Sequence, residues 1–246
     1  MPDGIIIIHG LTGTPATMAP LTASLAARGF KVITPLLAGH GTNAAELAKT
    51  NWESWYKSAE QAYDSIRPSC NKIYCVGLSL GALLAIKLAL DKEVTKIACL
   101  GTPLHLAPFT EKVSLPLSHI PLVERFIKYS KKDWTLSVAD EEGREIMKNS
   151  SYDRVPIRSV WELKKLQGII LKGLSELTTP TLIIHSRYDR VAPASNVDSF
   201  IKHAVKITPQ VLWLSMSAHV VTLDHEQDMV ADAIIKFLTN SQTHPF

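Results

Sequence analysis

Cysteine is scarce in this chain: Cys70, Cys75 and Cys99 are the only three in 246 residues. The count is odd and no C-x-x-C pair occurs, which argues against a disulfide framework or a zinc knuckle and points to free thiols in a reducing compartment. A long apolar run is missing too, because Lys87 interrupts the best candidate and nothing approaches the roughly 18 residues that a membrane-crossing helix needs. The N-terminus lacks a basic segment leading into an extended apolar one, since the run of isoleucines at 5–8 stops at His9-Gly10. No secretory leader is read there, and the expected location is cytoplasmic. Charge of one sign is barely in excess: 26 Lys plus Arg against 23 Asp plus Glu leave +3. That is too little and too dispersed for a nucleic-acid footprint. The sequence has no G-x-x-x-x-G-K-[ST] loop, no G-x-G-x-x-G turn, no H-E-x-x-H and no metal-spaced Cys/His cluster, so neither cofactor nor metal is implied.

The chain has the composition of an ordinary globular protein, 46% hydrophobic and 20% charged, and its length suits one domain with room for one insertion. Short apolar runs at residues 4–8, 31–35, 72–76, 96–100, 181–185 and 210–214 read as strands. Most lack polar alternation, so both faces must be covered, and the helical patterns between them supply the cover. A mostly parallel sheet in an α/β fold follows. Thr14-Pro15 offers an N-cap and an N1 proline for a helix ending at Gly29, and residues 80–90 are apolar nearly all round, as a helix deep against the sheet would be. The alternation breaks between Leu100 and Thr181, where helical patterns at 113–127 and 159–174 appear without a convincing strand. Residues 102–178 therefore read as a helical insertion, with residues 1–101 and 179–246 forming the core.

Gly77-Leu78-Ser79-Leu80-Gly81 is a G-x-S-x-G placed where a predicted strand enters a predicted helix. A nucleophile lifted clear of a sheet needs a turn so tight that side chains two residues either side would clash, which accounts for Gly77 and Gly81. Ser79 is expected to be strained in φ/ψ. A serine hydroxyl is a weak nucleophile at neutral pH and needs a base, and the base needs an orienting acid. Of nine histidines, His219 is the candidate base, because it follows the last predicted strand by a short loop, where an open α/β sheet presents its reactive loops. His225 is the rival. Asp189, just beyond the strand at 181–185, is the candidate acid, ahead of Asp198 and Asp224, which suit helix starts. The order Ser79, Asp189, His219 differs from that of chymotrypsin and subtilisin. The remaining segment, His9-Gly10-Leu11-Thr12-Gly13, leaves the first strand. Its Leu11 amide, with the amide of Leu80, would supply the two donors that a tetrahedral oxyanion requires. Gly10 leaves room for that loop, and His9 reads as a buried histidine organising it.

With HGLTG at 9–13, AGHGT at 38–42, GLSLG at 77–81, the Asp189 segment and SAHVVTLDHE at 217–226, the whole chain resembles the α/β-hydrolase superfamily. It is particularly similar to its small bacterial carboxylesterases and monoacylglycerol lipases. The resemblance implies an α/β-hydrolase fold with a helical cap, Ser79 as nucleophile, Asp189 as acid, His219 as base and Leu11 with Leu80 as the oxyanion hole. Ala82 and Ala218 stand where the family often has glycine. The implied activity is hydrolysis of short- to medium-chain carboxylic esters or monoacylglycerols through an acyl-enzyme, with a small-molecule ester as the partner and no nucleic acid, membrane segment, metal or cofactor. A thioesterase or another acyl hydrolase would use the same residues, and a catalytically inactive binding protein is the reading from a different class. Nothing in the sequence sets the oligomeric state.

Overall fold

The computed structural model describes residues 1–107 and 128–240. Along the chain come β1 (Gly4–Ile8), α1 (Ala19–Ala26), β2 (Lys31–Ile33), α2 (Ala44–Leu47), α3 (Trp52–Ile66), β3 (Ile73–Leu78), α4 (Leu80–Asp91) and β4 (Lys96–Leu100). After them follow β5 (Tyr129–Lys131), α5 (Glu141–Ser150), β6 (Arg154–Pro156), α6 (Ile157–Gly173), β7 (Thr181–Ser186), α7 (Ser195–His203), β8 (Gln210–Leu214) and α8 (Gln227–Thr239). Six strands form one parallel sheet in the order β2-β1-β3-β4-β7-β8.

The run Ile5-Ile6-Ile7-Ile8 shows why the sheet is covered twice. Successive side chains on a strand point to opposite faces. Ile6 and Ile8 pack with Trp55 and Tyr63 of α3, Leu83 of α4 and Leu166 and Ile170 of α6. Ile5 and Ile7 pack with Leu21 and Leu25 of α1 and Ile234 and Phe237 of α8. All four isoleucines are fully buried, each contributing about 1.5–3 kcal/mol relative to an exposed position.

Several details differ from the sequence reading; among them, the strand read over 31–35 stops at Ile33 and the helix read to Gly29 stops at Ala26. β3 runs on to Leu78 rather than stopping at Val76, because Gly77 and Leu78 still pair with Cys99 and Leu100; the glycine continues the ladder instead of ending it. The helix expected from Thr14 is split into a 3-10 turn over Pro15–Met18 and then α1, since Pro20 cannot occupy the interior of a continuous helix. Thr14 makes no side-chain cap; its hydroxyl donates to the Ser150 carbonyl at 3.1 Å. The stretch between Leu100 and Thr181 does contain strands, the antiparallel pair β5 and β6. Each has three residues, and Ser130, Lys131 and Arg154 are exposed, so no apolar pattern announces them. The helical pattern at 159–174 is realised as α6, whereas that at 113–127, together with His119 and His244, lies outside the described residues.

Candidate active site

Ser79 sits between the last residue of β3 and the first turn of α4, at φ +56° and ψ −118°. A positive φ is uncommon for a residue with a Cβ and costs about 1–3 kcal/mol, as expected of a sharp strand-to-helix elbow. Two glycines make the turn sterically possible. A Cβ on Gly77 would lie 2.1 Å from the Gly81 carbonyl oxygen, and one on Gly81 would lie 2.0 Å from that of Ile8. Both obstacles are backbone and cannot swing away. The Ser79 amide donates to the Leu100 carbonyl at 2.8 Å, which ties the elbow to β4.

The three residues singled out by sequence order meet here. Ser79 Oγ lies 2.9 Å from His219 Nε2, and His219 Nδ1 lies 2.6 Å from Asp189 Oδ2. The Asp189 side chain is fully buried, and its Oδ1 accepts the Val191 and Ala192 amides, each at 2.8 Å. Burial alone would raise its pKa, but the His219 ring and the other hydrogen bonds outweigh that, and the net shift is downward. Asp189 is therefore held as a carboxylate, able to accept from His219 Nδ1–H and to stabilise an imidazolium. His185 also approaches it, at 3.7 Å, but donates Nε2–H to the Ala192 carbonyl at 2.8 Å. Burial lowers the pKa of His185 and favours its neutral form.

The loop carrying His219 is fixed by two carboxylates. Glu226 accepts the amides of Ser215, Met216 and Ser217 at 2.9–3.1 Å and the Ser217 hydroxyl at 2.8 Å. Asp224 takes the next amide, Ala218, at 2.8 Å, together with those of Ala139, Asp140 and His225. Four successive amides before His219 are thus satisfied from within SAHVVTLDHE. The Ser186 hydroxyl donates to the Ser217 carbonyl, joining the end of β7 to the same loop. Asp224 is occupied with backbone donors and takes no part in the hydrogen-bonded chain Ser79–His219–Asp189. Asp198 is exposed in the first turn of α7. His225 lies two residues before α8 and faces Asp140 at 3.4 Å, away from the serine.

On the opposite side of Ser79, residues 10–13 form a turn closed by the Gly13 amide on the Gly10 carbonyl at 3.1 Å. A Cβ on Gly10 would lie 3.3 Å from Ser79 Cβ, so this glycine brings the turn carrying Leu11 against the serine. Leu80 opens α4, where the first amides of a helix have no intrahelical acceptor. His9 is fully buried behind the turn; Nδ1–H donates to the Gly10 carbonyl at 2.9 Å, and Nε2 accepts the Leu37 amide at 3.2 Å. Burial, aided by the edge-on His40 ring 5.0 Å away, lowers its pKa to about 3 and keeps it neutral.

Sequence reasoning missed Gly101, Thr12 and Glu226. Gly101 directly follows β4 at φ +52°, and a Cβ there would lie 3.2 Å from His219 Nδ1, so it is the gap in which the imidazole sits. A glycine directly after a buried strand beside the elbow was the available signal. Thr12 adopts φ +67° within the turn at 10–13, and nothing in its residue type announces that conformation. Among the described residues no cluster of three or more His, Cys, Asp or Glu is arranged to hold a metal, and no helix is long and apolar enough to cross a membrane.

A family model described as serine aminopeptidase, S33 (Hydrolase_4) matches residues 2–226. A thermostable monoacylglycerol lipase of Bacillus sp. (strain H-257) is 28% identical over 236 residues, covering 96% of this chain and 90% of the lipase. A carboxylesterase of Bacillus subtilis (strain 168) is 25% identical over 235 residues, 95% of this chain and 91% of that enzyme. A solved structure from work on LipS and LipT, two metagenome-derived lipolytic enzymes, has a TM-score of 0.84 at 24% identity, covering 96% of this chain and 93% of that chain; it bears on the fold.

Proposed function

The chain belongs to the Hydrolase_4 family, described as serine aminopeptidase S33, and has the α/β-hydrolase fold; on that premise we propose that it is a serine carboxylesterase acting on short- to medium-chain carboxylic esters or monoacylglycerols. The observation that carries this reading is the continuous relay from Asp189 through His219 to a serine held at positive φ, with spacings of 2.6 and 2.9 Å. The Bacillus relatives named as a monoacylglycerol lipase and a carboxylesterase support the ester as substrate. The three buried free thiols support a reducing, cytoplasmic setting.

In the proposed reaction, Ser79 Oγ attacks the ester carbonyl carbon while His219 Nε2 takes its proton. The tetrahedral oxyanion is received by the Leu11 and Leu80 amides, and a donor of this kind is typically worth about 3–4 kcal/mol. His219 then gives the proton to the departing alcohol oxygen, the carbon–oxygen bond breaks, and the acyl group stays on Ser79. Water, deprotonated by His219, attacks the acyl carbonyl and releases the acid and the free serine. Within the stretch 102–178, α6 lies with α3 and α4 against the sheet, and in this reading residues 128–156 contribute to the cap over an acyl pocket whose apolar walls favour each added CH₂ by about 0.8 kcal/mol until the space is filled.

Wild-type protein should be labelled by a fluorophosphonate and should hydrolyse p-nitrophenyl esters and monoacylglycerols. Ser79→Ala should keep its circular dichroism and lose both properties. Labelling of Ser79→Ala, or a tenth of wild-type turnover in it, would move the nucleophile elsewhere. Faster turnover of acyl thioesters than of esters would favour the thioesterase reading, and a folded wild-type protein that neither labels nor turns over would favour a binding protein.

A further inference from the structure

We propose that Lys132 is a positioning residue for the oxyanion side of the site: by holding the Thr12 hydroxyl, it keeps the turn at residues 10–13 in the form that presents the Leu11 amide beside Ser79. This rests on the assignment of Leu11 above.

The contact joins two parts of the chain 120 residues apart. Lys132 Nζ donates to Thr12 Oγ1 at 2.9 Å. Lys132 follows β5 directly; its own amide donates to the Asp153 carbonyl at 2.9 Å, and its ammonium lies 4.8 Å from the Trp134 ring centroid. Backbone and ammonium are therefore both fixed. Thr12 is fully buried, and the Tyr152 amide, just before β6, donates to its carbonyl at 3.2 Å. The ribbon segment thus grips Thr12 at hydroxyl and carbonyl together.

Each partner breaks a local rule. Thr12 is β-branched, yet stands at φ +67° in a turn position that favours glycine or asparagine. Such a conformation persists only where the surroundings over-determine it. Lys132 places its ammonium against a neutral hydroxyl, and among the described residues no carboxylate lies within ion-pair distance of it. Burial lowers its pKa to about 7. In either protonation state the lysine can bond the hydroxyl, the ammonium as donor and the amine as donor or acceptor. A methionine of similar length would fill the same space without desolvating a charge. What the lysine adds is a directional bond to a strained residue next to Leu11, and breaches of local rules concentrate at functional sites.

The test is a double-mutant cycle in the full chain, with Lys132→Met, Thr12→Val and the pair, read as kcat and KM on p-nitrophenyl butyrate beside Tm. Lys132→Met should lower kcat about tenfold to a hundredfold, below the loss of a whole oxyanion donor, with KM within about twofold and Tm unchanged or raised. Thr12→Val, which keeps the β-branch and removes the acceptor, should do the same, and the double variant should be no worse than the worse single one. If Lys132→Met fails to fold, Thr12→Val beside wild type carries the test. A kcat within twofold of wild type in either folded single variant, or losses that multiply in the double variant, would overturn the proposal. Failure of the underlying reading has a different signature, since wild-type protein would then resist fluorophosphonate altogether.

Discussion

The two sides of Ser79 are held by different means. On the proposed acid–base side, Asp189 and His219 stand on loops whose amides end on carboxylates close by in sequence: Val191 and Ala192 on Asp189, Ser215 to Ser217 on Glu226, and Ala218 on Asp224. On the proposed oxyanion side, distant residues hold the turn at 10–13: Lys132 and Tyr152 bond Thr12, while Thr14 reaches Ser150. Both sides touch the segment between β4 and β7, the first through Ala139 and Asp140 on Asp224 and Val220 on the Ser137 carbonyl, but the first carries carboxylate anchors of its own as well. Damage to those carboxylates should therefore be severe, whereas damage to the turn at 10–13 should be graded and should couple to that segment.

The largest expected effect tests the side with its own carboxylate anchors. Asp189→Asn is nearly isosteric, but its amide group cannot play the carboxylate's part toward His219 Nδ1–H while also accepting Val191 and Ala192. The histidine is then driven toward the wrong tautomer, and kcat should fall by about 10⁴, as for the equivalent change in a serine protease. Turnover of a p-nitrophenyl ester over a long time course reads this, and a loss below tenfold would mean that another acid orients the imidazole.

How much of this was legible in the sequence follows the same division. Gly77 and Gly81 were readable because a steric rule demands them at fixed offsets from the serine, and Ser79, Asp189 and His219 because each closely follows a strand whose apolar run is plain. Thr12 and Lys132 were not, since a threonine at positive φ looks like any threonine and a lysine 120 residues away leaves no periodicity to connect them. The ribbon β5–β6 escaped for a related reason: its six residues gain from pairing with each other and carry no apolar stripe. Glu226 stood inside a quoted motif, yet its task, collecting backbone donors, is a property of loop geometry rather than of spacing. Gly101 needed only the question of what must pass close to the end of β4.

An intermediate effect sharpens the role of the loop carboxylates. Burial by itself would raise the pKa of Glu226, but the hydrogen bonds from Ser215, Met216 and Ser217 prevail, and its net shift is below the ordinary value of 4.5. A group with a depressed folded pKa contributes stability that is fully present above its unfolded pKa and lost as pH falls through the folded one. Glu226→Gln should therefore lower Tm most near neutral pH, with the gap to wild type narrowing below about pH 4.5 as the native carboxylate protonates. At pH 7 the same variant should lose about tenfold in kcat, because the loop holding His219 loses part of its anchor. Thermal melts from pH 3 to 8 decide it, and a Tm gap independent of pH would remove the ionised carboxylate from the explanation.

The smallest effect belongs to His225, which competes with His219 in sequence and is set apart from it in space. Its Nδ1 faces Asp140 at 3.4 Å, and the side chains of the pair are 44% and 31% exposed. A polar side-chain contact open to water is worth about 0–1 kcal/mol, since solvent screens the attraction and two side chains must be ordered to make it. The backbone contribution at this position, the His225 amide on Asp224, survives truncation of the side chain. His225→Ala should accordingly keep kcat within about twofold and shift Tm by no more than a few degrees, as expected for a change under 1 kcal/mol in a chain of this size. A hundredfold loss of kcat at unchanged Tm would place a proton-transfer step at His225 and remove His219 as the sole base. If the Tm falls by ten degrees instead, then the contact between the His219 loop and Asp140 at the start of α5 bears on the whole fold, and the carboxylate anchors would leave the His219 loop as dependent on the segment between β4 and β7 as the turn at 10–13 is.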